Sequence, residues 1–160
     1  MLRTLLADRF KLAVHEERKV TPVFALITAL GGPSVHPAAG SGQPECHPGH
    51  GATALVHVEC ANLTLEDLAD LLPDLAPAYI DRPVVDSTQI KGSYDFKLDW
   101  APQPPLPKGG ATLGDSIPDV PAGPTIFEEL QKHYGLRLEA EKRTLPIIVI
   151  DHVERIPAVN

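Results

Sequence analysis

Proline placement constrains this chain more than any other feature. Proline removes a backbone donor and fixes φ, so it lies between regular elements, at their starts or on sheet edges. The sequence has 17 prolines in 160 residues, and eleven of them fall in two stretches. Gly31–Gly51 reads GGPSVHPAAGSGQPECHPGHG and holds four, with no apolar periodicity. Ala101–Pro124 holds seven, with four glycines and only three charged residues. Both read as long loops (31–51 and 101–124), a feature that in compact domains is either functional or disordered. Regular structure is therefore confined to about residues 1–30, 53–100 and 124–154. Apolar residues make up 43% of the chain, enough for one core, so a single domain over residues 1–160 is expected. A net charge of −7 without a basic cluster argues against nucleic acid and anionic membrane as partners. No apolar run approaches the roughly 18 residues of a membrane span, so no membrane insertion is expected.

Within the three pieces the patterns are clear. Leu2, Leu5, Leu6 and Phe10 recur at helical spacing. Lys11–Arg18 alternates as a half-buried strand, and Pro22–Leu30 is apolar on both faces, as in a central strand. Ala52–Cys60 alternates again, with Ala54, Val56, Val58 and Cys60 on the inner face. Thr64 and Asp67 form a variant capping box before the stripe Leu65, Leu68, Ala69 and Leu72, which Pro73 is expected to end. Pro83–Asp86 is a short strand. Ser93–Trp100 alternates with Tyr94, Phe96, Leu98 and Trp100 inward. Thr125 and Glu128 make a second capping box, followed by Ile126, Phe127, Leu130 and Tyr134, with Gly135 as the residue that ends the helix. Strands are then predicted over Leu136–Glu141 and Leu145–Val153.

The first and last pieces repeat. Shifted by 124 positions, Leu2, Leu6, Phe10, Leu12, Val14, Pro22 and Val23 fall on Ile126, Leu130, Tyr134, Leu136, Leu138, Pro146 and Ile147. Each reads helix, strand, turn, strand, and Thr64–Trp100 has the same order. One such unit cannot bury its own apolar face, whereas helices packed on an antiparallel or mixed sheet can. The expected class is α+β: a two-layer sandwich of three repeated helix–strand–strand units.

Three side-chain groups are candidates for chemistry. Cys46, His47, His50, His57 and Cys60 carry sulfur and imidazole ligands within 15 residues. Their spacing, C-x3-H-x6-H-x2-C, fits no standard zinc pattern, and in a strand His57 and Cys60 face opposite ways. A Cys46–Cys60 disulfide, two free thiols and a zinc site all stay open. His15 and His152 lie on strands that the repeat sets side by side, where the two imidazoles approach each other, and Asp151 stands next to His152 as a group to orient it. Among Asp81, Asp86, Asp95 and Asp99, Asp86 precedes Ser87-Thr88 as a turn-forming residue. His15, His152, Asp151, Asp86 and Tyr94 are the candidate binding residues. No catalytic residue and no metal ligand is assigned, and no cofactor is called for.

Three blocks carry a resemblance. LLADRFKLAVHEERKVTPVFALITALGGP (Leu5–Pro33), RPVVDSTQIKGSYDFKLDW (Arg82–Trp100) and GPTIFEELQKHYGLRLEAEKRTLPIIVIDHVERIP (Gly123–Pro157) resemble the opening, central and closing motifs of a soil-associated bacterial family of unknown function. They come in the family's order and span nearly the whole chain. The central block departs once: the family usually has glycine where this chain has Gln89 or Ile90. The resemblance implies an exported protein, periplasmic or secreted, with an export signal and further N-terminal segment ahead of these residues. Related domains occur beside membrane metallopeptidase sensors. The helix–strand–strand unit is similar to the small N-terminal domains of secretins and TonB-dependent receptors, which bind other proteins. The family supplies no catalytic residues to carry over.

There is no G-x-S-x-G, H-E-x-x-H, C-x-x-C or G-x-x-x-x-G-K-[ST] motif. The expectation is a non-enzymatic extracytoplasmic interaction module that meets a protein or peptide partner by adding a strand to an exposed sheet edge. The alternatives are a metal-dependent hydrolase using the His and Asp residues, and a small-ligand sensor of a membrane peptidase system. The sequence assigns no oligomeric state.

Overall fold

A computed structural model describes residues 2–40, 42–49, 54–102 and 123–156. In chain order the elements are α1 (Leu2–Phe10), β1 (Ala13–Thr28), β2 (His36–Pro37), β3 (Glu45–Pro48), β4 (Val56–Leu63), α2 (Leu65–Leu75), β5 (Val84–Asp86), β6 (Tyr94–Trp100), α3 (Ile126–Tyr134) and β7 (Leu136–His152). Three helices with a mixed and an antiparallel sheet make this the expected α+β fold. One sheet has the order β5-β1-β7, the other β2-β6-β4-β3. The described residues contain no helix long and apolar enough to cross a membrane.

The chain gathers into two compact units, residues 23–141 and residues 1–22 with 142–160. The core of the larger unit joins the inner stripe of α2 (Leu65, Leu68, Leu72) to Phe96 and Leu98 of β6 and Ile126 and Leu130 of α3. Both capping boxes form: Thr64 accepts from the Asp67 N–H and Thr125 from the Glu128 N–H, each with the reciprocal bond. Gly135 closes α3 at φ 62, and a Cβ there would collide with the Gly32 carbonyl. Glycine is needed on both counts. Gln89 also lies in the left-handed region, at φ 61, which accounts for a glycine near this point in the resembled family.

The smaller unit holds α1, the start of β1 and the end of β7. There β1 and β7 run antiparallel: the Glu154 N–H bonds the Phe10 carbonyl at 2.7 Å and His15 meets Asp151. Leu6 and Phe10 are half-buried, but Leu5 is 54% exposed, so the α1 stripe is only partly covered.

Three local expectations need correction. The turns expected inside the first and last repeats are absent, and β1 and β7 are single strands of 16 and 17 residues. Pro22 is tolerated inside β1 because its nitrogen points beyond the end of β5, which pairs only with Phe24–Leu26. Pro146 lies in β7, an outer strand of its sheet. Pro73 sits inside α2, which continues to Leu75. The stretch 31–51 contains β2 and β3, with β3 paired to β4 from Glu45↔Ala61 to Pro48↔Val58. Most of the second proline-rich stretch, residues 103–122, lies outside the described residues.

Candidate functional site

Strand β6 has a partner along only part of one side. β4 pairs with it from Val56↔Trp100 to Leu63↔Tyr94, but β2 reaches only Tyr94 and Asp95. Beyond Asp95 the backbone groups on that side need other partners. Helix α3 and the residue before its cap supply them. The Tyr134 hydroxyl accepts the Lys97 N–H and donates to the Lys97 carbonyl, both at 2.6 Å. The Asp99 backbone N–H faces the Glu129 carboxylate and favours its charged form. The Ala101 N–H donates to the Pro124 carbonyl at 2.8 Å. Two side chains of α3 and the Pro124 carbonyl thus close a sheet edge that no strand covers among the described residues.

A groove of about 570 Å³ runs along this closure, lined by His36, Asp95, Asp99, Glu129, His133 and Tyr134 among others. Asp95 accepts backbone N–H groups from Asn62 and Ala39, which hold its carboxyl below the ordinary range. His57 bonds Asp99 across the strands at 2.5 Å. Glu129 is 4% exposed; burial raises its carboxyl, and His133 at 3.7 Å pulls it back. The groove concentrates titratable groups, but most of them are bound to backbone or to each other.

Glu129 is therefore read as an edge closure with a measurable signature. Its folded-state carboxyl binds its proton more tightly than the ordinary value of 4.5. Across the window just above 4.5 the native state holds the extra proton, so this group's contribution to stability falls as pH rises. Glu129→Gln keeps an acceptor for the Asp99 N–H and removes that pH slope, with neutral-pH stability equal or higher. Glu129→Leu leaves the N–H unpaired and costs about 1–3 kcal/mol. Urea unfolding at pH 4 and pH 7 separates the two; equal losses in both variants would refute the assignment.

The sequence-based candidates scatter. His15 Nδ1 lies 2.9 Å from both Asp151 oxygens, and this bond raises the imidazole above its ordinary value of 6.5. His152 does not join them as His15's partner. It follows Asp151 in β7, and successive strand residues face opposite ways. Asp86 accepts from the Thr88 N–H at 2.9 Å and hydroxyl at 2.7 Å, forming the expected turn. Tyr94 donates to the Lys91 carbonyl at 2.9 Å and pins the other end of that turn. Cys46 and Cys60, directly opposite on β3 and β4, are joined in a disulfide. His47 pairs with Glu45 at 3.3 Å, and His50 lies outside the described residues. Among the described residues no group of three or more His, Cys, Asp or Glu is placed to hold a metal ion.

The smaller unit presents a different feature. Its two strands leave both outer edges without a strand partner among the described residues. Along β1 the open stretch His15–Lys19 reads HEERK, the charged pattern that blunts an edge against pairing. Along β7 the stretch Leu145–Ile150 reads LPIIVI and carries no charge. Leu145, Ile147 and Val149 are half-buried, while Ile148 and Ile150 are 68% and 61% exposed. The sequence shows an apolar strand here, while its place at an edge is set by the sheet. The contrast between HEERK and LPIIVI was the available signal.

The family described as a protein of unknown function (DUF3738) matches residues 1–153. Comparison with curated proteins and with solved structures finds no match.

Proposed function

The chain belongs to the DUF3738 family of proteins of unknown function, and we propose that it is an extracytoplasmic interaction module that captures an extended polypeptide on the outer edge of β7. One observation carries this reading: LPIIVI is uncharged and has no strand on its outer side among the described residues, while the neighbouring β1 edge is densely charged. An unpaired edge offers backbone donors and acceptors to an incoming strand, and the exposed isoleucines offer apolar contacts to alternate side chains. The Cys46–Cys60 disulfide supports an oxidising compartment, periplasmic or secreted. A binding role without catalysis is supported by how the carboxylates are used: Asp86 and Asp95 accept backbone N–H groups, and Glu129 faces one.

The test uses a nine-residue peptide alternating Val and Ser, and the same peptide with proline at its alternate positions. Saturable binding of the first is expected, with slowed hydrogen exchange at the amides of Leu145–Ile150 other than Pro146. The proline peptide, which cannot donate to the edge, is expected to bind far more weakly. Equal binding of the two peptides, or protection elsewhere in the chain only, would count against edge pairing.

A further inference from the structure

We infer that the segment taken up by β7 is acidic as well as extended, an inference that rests on the edge-pairing reading above. Charge is divided unevenly along this chain. Residues 1–22 with 142–160 hold eight Lys and Arg against five Asp and Glu, a formal charge of +3. Residues 23–141 hold six against sixteen, a formal charge of −10. An overall charge of −7 thus conceals a basic unit, and that unit contains the open edge.

The placement within the unit sharpens this. Lys142, at an exposed position, lies just before the uncharged run of β7, and Arg18 and Lys19 belong to the adjoining strand. Of the acidic groups, Asp151 is committed to His15. Glu16 and Glu17 lie on β1, with Arg18 and Lys19 next in sequence. A strand laid against Leu145–Ile150 meets cations at the Lys142 end. Alternating carboxylates on such a strand complement them, and alternate apolar residues cover Ile148 and Ile150. Charge at the rim of an interface sets partner choice and association rate more than bulk affinity. A lipid surface is the other partner a basic, isoleucine-bearing face attracts. Lipid tails cannot satisfy the free N–H and C=O groups of an edge, whereas a polypeptide can.

The experiment uses the full chain and three labelled nine-residue peptides that alternate Val with Glu, Ser or Lys. At low salt the Glu peptide is expected to bind about tenfold or more tighter than the Lys peptide, and the gap should narrow strongly by about 0.5 M salt as the charges are screened. Lys142→Glu combined with Lys19→Glu, both at exposed positions, should reduce or invert that preference. Equal affinity for the Glu and Lys peptides would overturn the charge assignment while edge pairing stands. Failure of all three peptides to bind would overturn both. Binding to phosphatidylglycerol vesicles that the Glu peptide does not displace would assign the surface to lipid instead.

Discussion

Breaking the Cys46–Cys60 disulfide should lower the unfolding free energy by about 3 kcal/mol, the loop-closure value for a link across some 15 residues. The two cysteines are 14 positions apart and directly opposite on β3 and β4. β3 has four residues, lies at the outer side of its sheet and sits in a proline- and glycine-rich stretch. Little else in its sequence favours a strand, so the bond holds a segment that is otherwise weakly specified. Cys60 is buried in the core and Cys46 only half-buried, so Cys46→Ser is the cleaner variant. Urea unfolding of that variant, and of the native chain with and without reductant, should give matching losses, with a dependence on denaturant equal to or steeper than that of the linked chain. A loss under about 1 kcal/mol would mean that β4 holds β3 without the link.

Tyr134→Phe should cost about 2–4 kcal/mol, more than removal of one oxygen from a tyrosine usually does. The hydroxyl serves two backbone groups of Lys97 at once, both at 2.6 Å. Tyr134 is 5% exposed and its ring packs on Phe96 with centroids 5.2 Å apart, so phenylalanine keeps the apolar contact and removes only the bonds. Each buried polar group left unpaired costs about 1–3 kcal/mol. Chemical denaturation measures the loss, and hydrogen exchange should show the Lys97 amide released before its neighbours in β6. A variant as stable as the native chain would show that groove water replaces the hydroxyl.

Much of the fold is legible in the sequence because it is written in local chemistry. Thr64 with Asp67 and Thr125 with Glu128 mark two helix starts, and Gly135 marks an end. Alternation over Tyr94–Trp100 marks β6. The misreadings share one cause. Turns are expected between Arg18 and Pro22 and between Glu141 and Leu145, yet β1 and β7 run through both, because strand continuity is set by pairing between segments distant in sequence. β2 and β3 were hidden for the complementary reason: their pairing comes from β6 and β4, not from their own residues.

The candidate site was less legible. His15 found Asp151 and not His152, since alternation along β7 turns adjacent residues to opposite faces. Glu129 drew no attention in the sequence although it lies within the inner stripe of α3, between Ile126 and Leu130. A carboxylate at a core position needs a donor, and the Asp99 N–H is supplied by a strand 30 residues earlier. The edge character of β7 is likewise a property of the sheet and not of the strand.

The closure of β6 makes the length of α3 as binding as its composition. Glu129 and Tyr134 of α3 face Asp99 and Lys97 of β6, five positions apart on one element and two on the other, and Pro124 just before the helix cap serves Ala101. Five residues of helix advance about 7.5 Å and two residues of strand about 6.8 Å. The two elements therefore keep step as a pair of matched rulers, which substitutions on the outer face of α3 leave in step. A one-residue insertion or deletion between Glu129 and Tyr134 turns one group away from the strand by about 100° and puts the two out of phase.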